Sequence, residues 1–451
     1  MNPYKYIKNY VSTILDDHLL QHSISITSIT TALRGSSAIL SFGVSLLLAK
    51  LTGTKGAGIF FLAMTFANTL STLGRLGLDQ AVLKMTSIYC GNNDWWSIKK
   101  LHRTGIAITI LGTAFFSIAS YTLAPVIATH AFSDPELTFP LKLASLSTVP
   151  AAIVILCSNF LKGLKKLIQA AVYEFIASPL LLLIFLYPAV HFYGSTGAVG
   201  TIAFVAFIAA ACSMAACRNA TKRHSEGAGS FRFQDLKQSC PTFYSIVLLN
   251  LILTTADTYI VGIFMDVEAI GIYSIANRLA MITSLILVGA RGVASAHFAK
   301  LGAQQDTVRL EKLALNITKF LIIAALPIVC VLTIFPHQIL TLFGPEFTAG
   351  TTALRILAIG QLFVVATGPC GVLLLMTGKE RMERINTLAC GILNIILNLT
   401  LITPFGINGV AIGTATSVII MNIVTSIFIF RSYGIIIIPG LRKIIQFAQI
   451  R

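Results

Sequence analysis

Acidic residues are scarce. Only 17 of 451 residues are Asp or Glu, and charged residues of both signs reach 11%. Soluble domains carry roughly a quarter, so an ordinary water-facing surface is excluded. No HExxH, no phosphate loop ending in Gly-Lys-Ser/Thr and no GxSxG occurs, so zinc-protease, P-loop and α/β-hydrolase chemistry lack their residues. None of the eight cysteines forms a CxxC pair, and most sit in apolar runs. A free thiol there behaves as a small hydrophobe, so neither a metal site nor a cofactor is expected. The first 25 residues are polar, with Lys5, Lys8, Asp16 and Asp17, and lack the apolar stretch of a secretory signal. An amphipathic surface helix over 4–20 fits them as well as a solvated end does.

What the chain has in excess is apolar length. Hydrophobic residues make up 55%, and mean hydropathy is +0.82. Apolar runs of ~20 residues recur throughout, the length a helix needs to cross a hydrocarbon core of roughly 30 Å. Backbone polar groups must be satisfied internally in lipid, and the alternation of a membrane β-barrel is absent, so these runs are helices. Twelve spans are expected, at 26–50, 57–77, 104–128, 138–161, 168–191, 196–217, 241–265, 268–297, 315–336, 351–376, 385–404 and 408–430. Pro150, Pro179, Pro327 and Pro369 fall inside spans, where membrane helices tolerate proline; no role is assigned to them.

Loop charge tests this map. With alternate loops assigned to alternate sides, 24 lysines and arginines fall on the side of the termini, against Lys50 and Lys55 on the other. The positive-inside rule makes the rich side, and both termini, cytoplasmic. The net charge of +16 is then topogenic charge facing anionic headgroups, and nucleic acid is not needed to explain it.

The halves also repeat at an offset of ~213 residues. Residues 58–63 (Gly-Ile-Phe-Phe-Leu-Ala) match 271–276 (Gly-Ile-Tyr-Ser-Ile-Ala), and 74–77 match 289–292. Residues 163–166 match 378–381, and 193–198 match 405–410. Six spans per half give both copies the same orientation, related by a pseudo-twofold axis along the membrane normal. Paired repeats place a site between them and rock about it. The expected organisation is a cytoplasmic segment 1–25, an N-lobe 26–217, a linker 218–240, a C-lobe 241–430 and a cytoplasmic tail 431–451.

Residues 46–53 (Leu-Leu-Leu-Ala-Lys-Leu-Thr-Gly), then Gly58-Ile59-Phe60 and Leu76-Gly77-Leu78, resemble the opening of polysaccharide biosynthesis and export proteins. Asp257, followed by 271–278, resembles the seventh and eighth helices of that family. The family is the Wzx-type O-antigen flippases of the multidrug, oligosaccharidyl-lipid and polysaccharide exporter superfamily. The resemblance implies an all-α integral membrane fold, a V-shaped pair of pseudo-symmetric six-helix lobes with alternating access. It implies a polyprenyl-pyrophosphate-linked oligosaccharide flipped from the cytoplasmic to the periplasmic leaflet of a bacterial inner membrane. Polysaccharide polymerase and chain-length proteins are the implied partners.

A charge near the bilayer centre costs on the order of 2.5–3.5 kcal/mol, so deep charges face the bundle interior or water. Lys142, Lys319, Arg355 and Glu174 lie near span ends and reach the interface by snorkelling. Arg34, Asp257, Arg278 and Arg291 lie deeper, on spans that line the central cavity in the resembled family. Arg34, Arg75 and Arg291 are expected to form a cationic mouth for a pyrophosphate, with Arg278 as a further substrate contact, since guanidinium forks suit phosphate oxygens. Asp257 and Arg278 are expected to pair, either fixing helix register or opening to couple transport to an ion gradient. The alternatives are a cation-coupled multidrug exporter, which needs cavity carboxylates, and a membrane-embedded polymerase or ligase, which needs a large outer loop. Outer loops here run to on the order of 4–15 residues. A lipid-linked peptidoglycan-precursor flippase typically has fourteen spans, and the segment after Phe430 is too short for two more.

Overall fold

The computed structural model describes residues 18–222, 229–304, 306–435 and 437, with backbone alone for 18–28, 31, 242, 288, 291–293, 296, 300 and 303. The segment before residue 18 and the tail after 437 lie outside the described residues, and so does most of the expected surface helix over 4–20; its last three residues open the first helix. All regular structure among the described residues is helical. In chain order the main helices are α1 (His18–Arg75), α2 (Leu78–Gly91), α3 (Trp95–Val126), α4 (Thr138–Gly163), α5 (Ala177–Thr221) and α6 (Phe233–Phe264). They are followed by α7 (Val267–Ala303), α8 (Thr307–Ile334), α9 (Thr351–Ala366), α10 (Cys370–Met376), α11 (Glu380–Phe405) and α12 (Ile407–Tyr433).

Among the described residues, ten helical stretches are long and apolar enough to cross a membrane. Two of them are double. Gly53 (φ 66°, ψ −166°) breaks α1, and Gly194 (φ 60°, ψ −145°) breaks α5. The arms on either side each hold about twenty residues or more, enough for a crossing. The described residues therefore make twelve crossings, in the expected order. Leu111, Phe115 and Ile118 on α3, and Phe320 and Ile323 on α8, are more than 60% exposed, as lipid-facing side chains are.

Between the second and third crossings the sequence reading expected only a loop. The structure has α2 there, entered through left-handed Leu76 and Gly77. Its apolar face, Leu78, Ala81, Val82, Met85 and Tyr89, is buried at helical spacing. Fourteen residues with a polar face are too short to read as a span.

The repeat is visible in the backbone. Asp94 and Asp306 each cap a helix, accepting from the N–H three residues on. Lys165 and Gly378 share a left-handed φ, as do Gly194 and Gly406. The first two arms (α1) and α3–α5 form one six-helix lobe, and α6–α12 form the other. One buried apolar cluster joins both lobes at the end that carries Lys50 and Lys55, the end that loop charge leads one to expect as outer. At the basic end two separate clusters serve α2–α5 with the start of α6, and α7–α12. Along α6 the lobes also touch at the basic end, where a Cβ on Gly77 would stand 2.6 Å from the Tyr244 backbone nitrogen; the pseudo-symmetric contact lies at the other end.

Repeat-equivalent glycines make that contact. A Cβ on Gly58 would stand 1.9 Å from the Val267 carbonyl oxygen, and one on Gly271 would stand 2.3 Å from the Thr54 carbonyl oxygen. Thr54 and Val267 are themselves equivalent at the ~213-residue offset. The contact is therefore the same on both sides of the pseudo-twofold axis, as in an isologous interface.

Candidate functional site

Beside this contact a cavity of about 150 Å³ crosses the lobe boundary. Ala38, Ser41, Phe42 and Ser45 of α1 form one wall, and Ile275, Arg278, Leu279 and Ile282 of α7 form the other. Phe343 closes one side, edge-on to Phe42 with ring centroids 5.5 Å apart. A larger hollow of about 430 Å³ between α4 and α5 is lined by Phe139, Phe185, Phe192, Phe204 and similar apolar groups. It carries no charge and opens among exposed aromatics, so it suits an acyl chain and not a headgroup.

Arg278 is the chemistry of the smaller cavity. It lies eleven residues into α7, roughly 16 Å from the outer end, near the bilayer midplane. Its guanidinium stacks over the Phe61 ring at 4.5 Å, and Nη2 lies 3.6 Å from the Met64 sulfur. The expected Asp257–Arg278 ion pair does not form, and no carboxylate pairs with Arg278 among the described residues. Phe61 and Met64 belong to the second arm of α1, so the cation is held in place by the opposite lobe through polarisable, uncharged groups.

Arg34 lies one turn nearer the basic end, on the stripe of α1 that carries Ala38, Ser41 and Ser45 at ~100° per residue. It is exposed, with its guanidinium 4.7 Å above the Phe175 ring. Arg75 departs from the expectation. It is 6% exposed, pairs with Asp79 at 3.7 Å, and donates to Ser71 and Thr72. The cause is local: Asp79 follows one turn later across the left-handed Leu76-Gly77 step. Arg75 is therefore neutralised inside the N-lobe and does not face an open mouth. Arg291 lies on α7, and its side chain is outside the described residues. Of the span-end charges, Glu174 pairs with Lys162 at 2.5 Å, Lys142 stacks on Tyr121, and Arg355 donates to the Thr333 carbonyl.

Asp257 is 8% exposed and sits in a nest of uncharged donors. Oδ1 accepts from Asn398 Nδ2 at 2.7 Å, and Oδ2 accepts from the Tyr273 and Thr414 hydroxyls, each at 2.9 Å. Asn394 extends the nest to Thr414 and Ser417. The amide oxygen of Asn398 is buried without a hydrogen-bond partner. Carboxylate, amide and hydroxyl oxygens are hard donors, able to hold a proton or an alkali cation. Sequence reasoning singled out Asp257 and missed its partners. The available signal was on α11, where Asn386, Asn394 and Asn398 recur at multiples of four in an apolar run, one face of a helix. Between the lobes, the Tyr259 hydroxyl donates to Thr69 at 2.8 Å.

Sequence and fold comparisons fall on these features. Residues 24–296 match the family described as polysaccharide biosynthesis protein, and residues 241–400 match the family described as MatE. The protein described as "Probable flippase AglR" from Haloferax volcanii is 30% identical over 175 residues, which are 37% of this chain and 36% of that protein. The match thus spans just over a third of that relative's length. A solved structure of the lipid II flippase MurJ in an inward closed conformation superposes with a TM-score of 0.73 at 16% identity, covering 89% of this chain and 87% of that one. An inward-facing multidrug resistance MATE family transporter of the MOP superfamily superposes with a TM-score of 0.72 at 12% identity, covering 90% and 98%. At these identities the superpositions establish a shared two-lobed exporter fold. With well over half its length matched, the chain is a multi-pass membrane protein that belongs to the polysaccharide biosynthesis protein family.

Proposed function

We propose that the chain is a flippase and not an enzyme. Its substrate is a polyprenyl-pyrophosphate-linked oligosaccharide, an O-antigen or similar repeat unit, moved from the cytoplasmic to the periplasmic leaflet. Translocation breaks no covalent bond, so no catalytic constellation is required. The observation that carries this reading is Arg278: a cation near the midplane, in a cavity shared by both lobes, without a carboxylate partner among the described residues. A half-buried guanidinium in that setting is completed by an anionic ligand, and a pyrophosphate matches its fork. Family membership and the fold shared with a lipid II flippase support the same substrate class.

In this reading Arg34, on the same stripe, receives the pyrophosphate before Arg278 does, and Arg291 contributes from α7. The Asp257 nest binds the coupling proton or cation. The N-lobe is 26–217, the C-lobe 241–430, and 218–240 links them. The protein resides in a bacterial inner membrane with both termini cytoplasmic, and hands its cargo to polymerase and chain-length proteins. A cation-coupled drug exporter is disfavoured because Asp257 turns both oxygens to Tyr273, Asn398 and Thr414 instead of to the cavity.

The test uses a strain lacking the gene. Polyprenyl-linked repeat units are extracted and probed for protection from a glycosidase added on the periplasmic side. Protected units are expected to accumulate, and the wild-type gene to relieve them. Arg278→Ala and Arg291→Ala should each leave protein levels intact and export at least about tenfold lower, the scale of 1.4 kcal/mol of lost anion contact. Normal surface glycan in the Arg278→Ala strain would refute the assignment.

A further inference from the structure

Three side chains outside the proposed transport path converge in the N-lobe. His102 of α3, Cys157 of α4 and Cys217 of α5 each offer one ligand atom, and these atoms all lie within 4.8 Å of one another. His102 is seven residues from the start of its helix, Cys157 six from the end of its own, and Cys217 four. At roughly 1.5 Å per residue the three share one layer, ~6–11 Å inside the basic end. Both thiols are fully buried, and the imidazole is 9% exposed. The ring lies over Phe160 with centroids 4.2 Å apart, and its Nε2 has no hydrogen-bond partner. The Cys217 thiol points to the Cys157 carbonyl at 3.7 Å. Ser213, one turn before Cys217, buries its hydroxyl beside them.

We propose that His102, Cys157 and Cys217 bind one Zn²⁺ that staples α3, α4 and α5 together. Imidazole and thiolate are the donors this borderline-soft cation takes, and it accepts three protein ligands with a fourth from water or a hydroxyl such as that of Ser213. Bond lengths of about 2.0–2.3 Å bring ligand atoms to roughly 3.5 Å apart, so the cluster closes by about an ångström of side-chain movement. Binding releases two protons, one from each thiol, and the two thiolates balance the divalent charge. The assembled centre is neutral, which a lipid-embedded core requires, and Nε2 gains its missing partner. No carboxylate joins the cluster, so it discriminates against Mg²⁺ and Ca²⁺. The basic end faces the reducing side in the charge-derived topology, where thiols stay available.

The experiment takes the full chain, purified in detergent with a thiol-free reductant, stripped by a chelator and titrated with Zn²⁺ and separately with Co²⁺. One Zn²⁺ per chain is expected, with a rise in melting temperature. Co²⁺ should give sulfur-to-cobalt charge-transfer absorption in the near ultraviolet. Cys157→Ser with Cys217→Ser should abolish that absorption and weaken Zn²⁺ binding by at least about tenfold, and Cys240→Ser should change neither. Wild-type protein that shows neither stoichiometric Zn²⁺ nor the Co²⁺ band overturns the proposal whether or not the variants fold. A Cys157–Cys217 disulfide in the protein as isolated overturns it as well.

Discussion

Arg75 and Arg278 both place a guanidinium inside a span, and their neighbours give the two opposite fates. Arg75 has Asp79 one turn away and two hydroxyls in reach. Its truncation strands a buried carboxylate, and breaking such a pair costs about 3–5 kcal/mol. Arg75→Ala is therefore expected to lower the melting temperature and membrane yield, and Arg75→Met combined with Asp79→Leu to recover most of both. Thermal unfolding in detergent decides; a fully stable Arg75→Ala protein that fails to export would return Arg75 to the substrate path. Asp257 belongs to a third case, a buried carboxylate satisfied by neutral donors. Asp257→Asn keeps the volume but turns an N–H toward a donor, costing about 1–3 kcal/mol and removing the ionisable group. Flipping in proteoliposomes should then lose its response to an imposed H⁺ or Na⁺ gradient. A variant still driven by the gradient would eliminate Asp257 as the coupling group.

At the scale of elements, the connection from α5 to α6 is pinned to the start of α3. The N–H and hydroxyl of Ser230 donate to Asp94 Oδ2 at 3.0 and 2.9 Å, and the Phe231 N–H donates to Ser97 Oγ at 2.8 Å. Partial burial raises the Asp94 pKa, but hydrogen bonds from Ser97 and Ser230 outweigh it and hold the carboxyl down at about 2. A depressed pKa stabilises the docked state above the ordinary carboxylate value of about 4 and loses that effect as pH falls toward 2. Docking is therefore insensitive to pH between 5 and 8. Limited proteolysis of the connection should be slow and constant across that range, and several-fold faster in Asp94→Ala. Unchanged cleavage in the variant would show that the Asp94 contacts do not hold the connection. None of this was legible in the sequence, because Asp94 and Ser230 are 136 residues apart. The cap itself was: an Asp before an apolar helical run is a common start signal.

At the scale of the whole molecule, two backbones touch where Gly58 meets Val267 and Gly271 meets Thr54. Interfaces of this kind have discrete arrangements and do not deform gradually. In Gly271→Val the added atoms have only backbone to push against, so the outer ends should part and the population move toward an outward-open state. Spin labels at Glu136, between α3 and α4, and Glu268, in the first turn of α7 on the opposite lobe, should report a longer distance by several ångströms in the variant. An unchanged distance distribution would show that the glycine contact does not set the closed state. At the basic end α6 approaches the N-lobe at Gly77, against the Tyr244 backbone, while the apolar clusters of α2–α5 and α7–α12 stay separate.

The sequence by itself determined the crossings, their order and the repeat. Transfer free energy sums over contiguous residues, and loop charge alternates with each crossing, so both are one-dimensional quantities. The glycines that break α1 and α5 were legible as turns for the same reason. Which charges are satisfied was decided only by tertiary structure. Asn398 and Thr414 reach Asp257 from 141 and 157 residues away, and the two thiols of the N-lobe cluster are 60 residues apart in sequence. Such contacts depend on how each helix is rotated about its own axis against its neighbours. Hydropathy does not encode that rotation; side-chain packing between helices sets it.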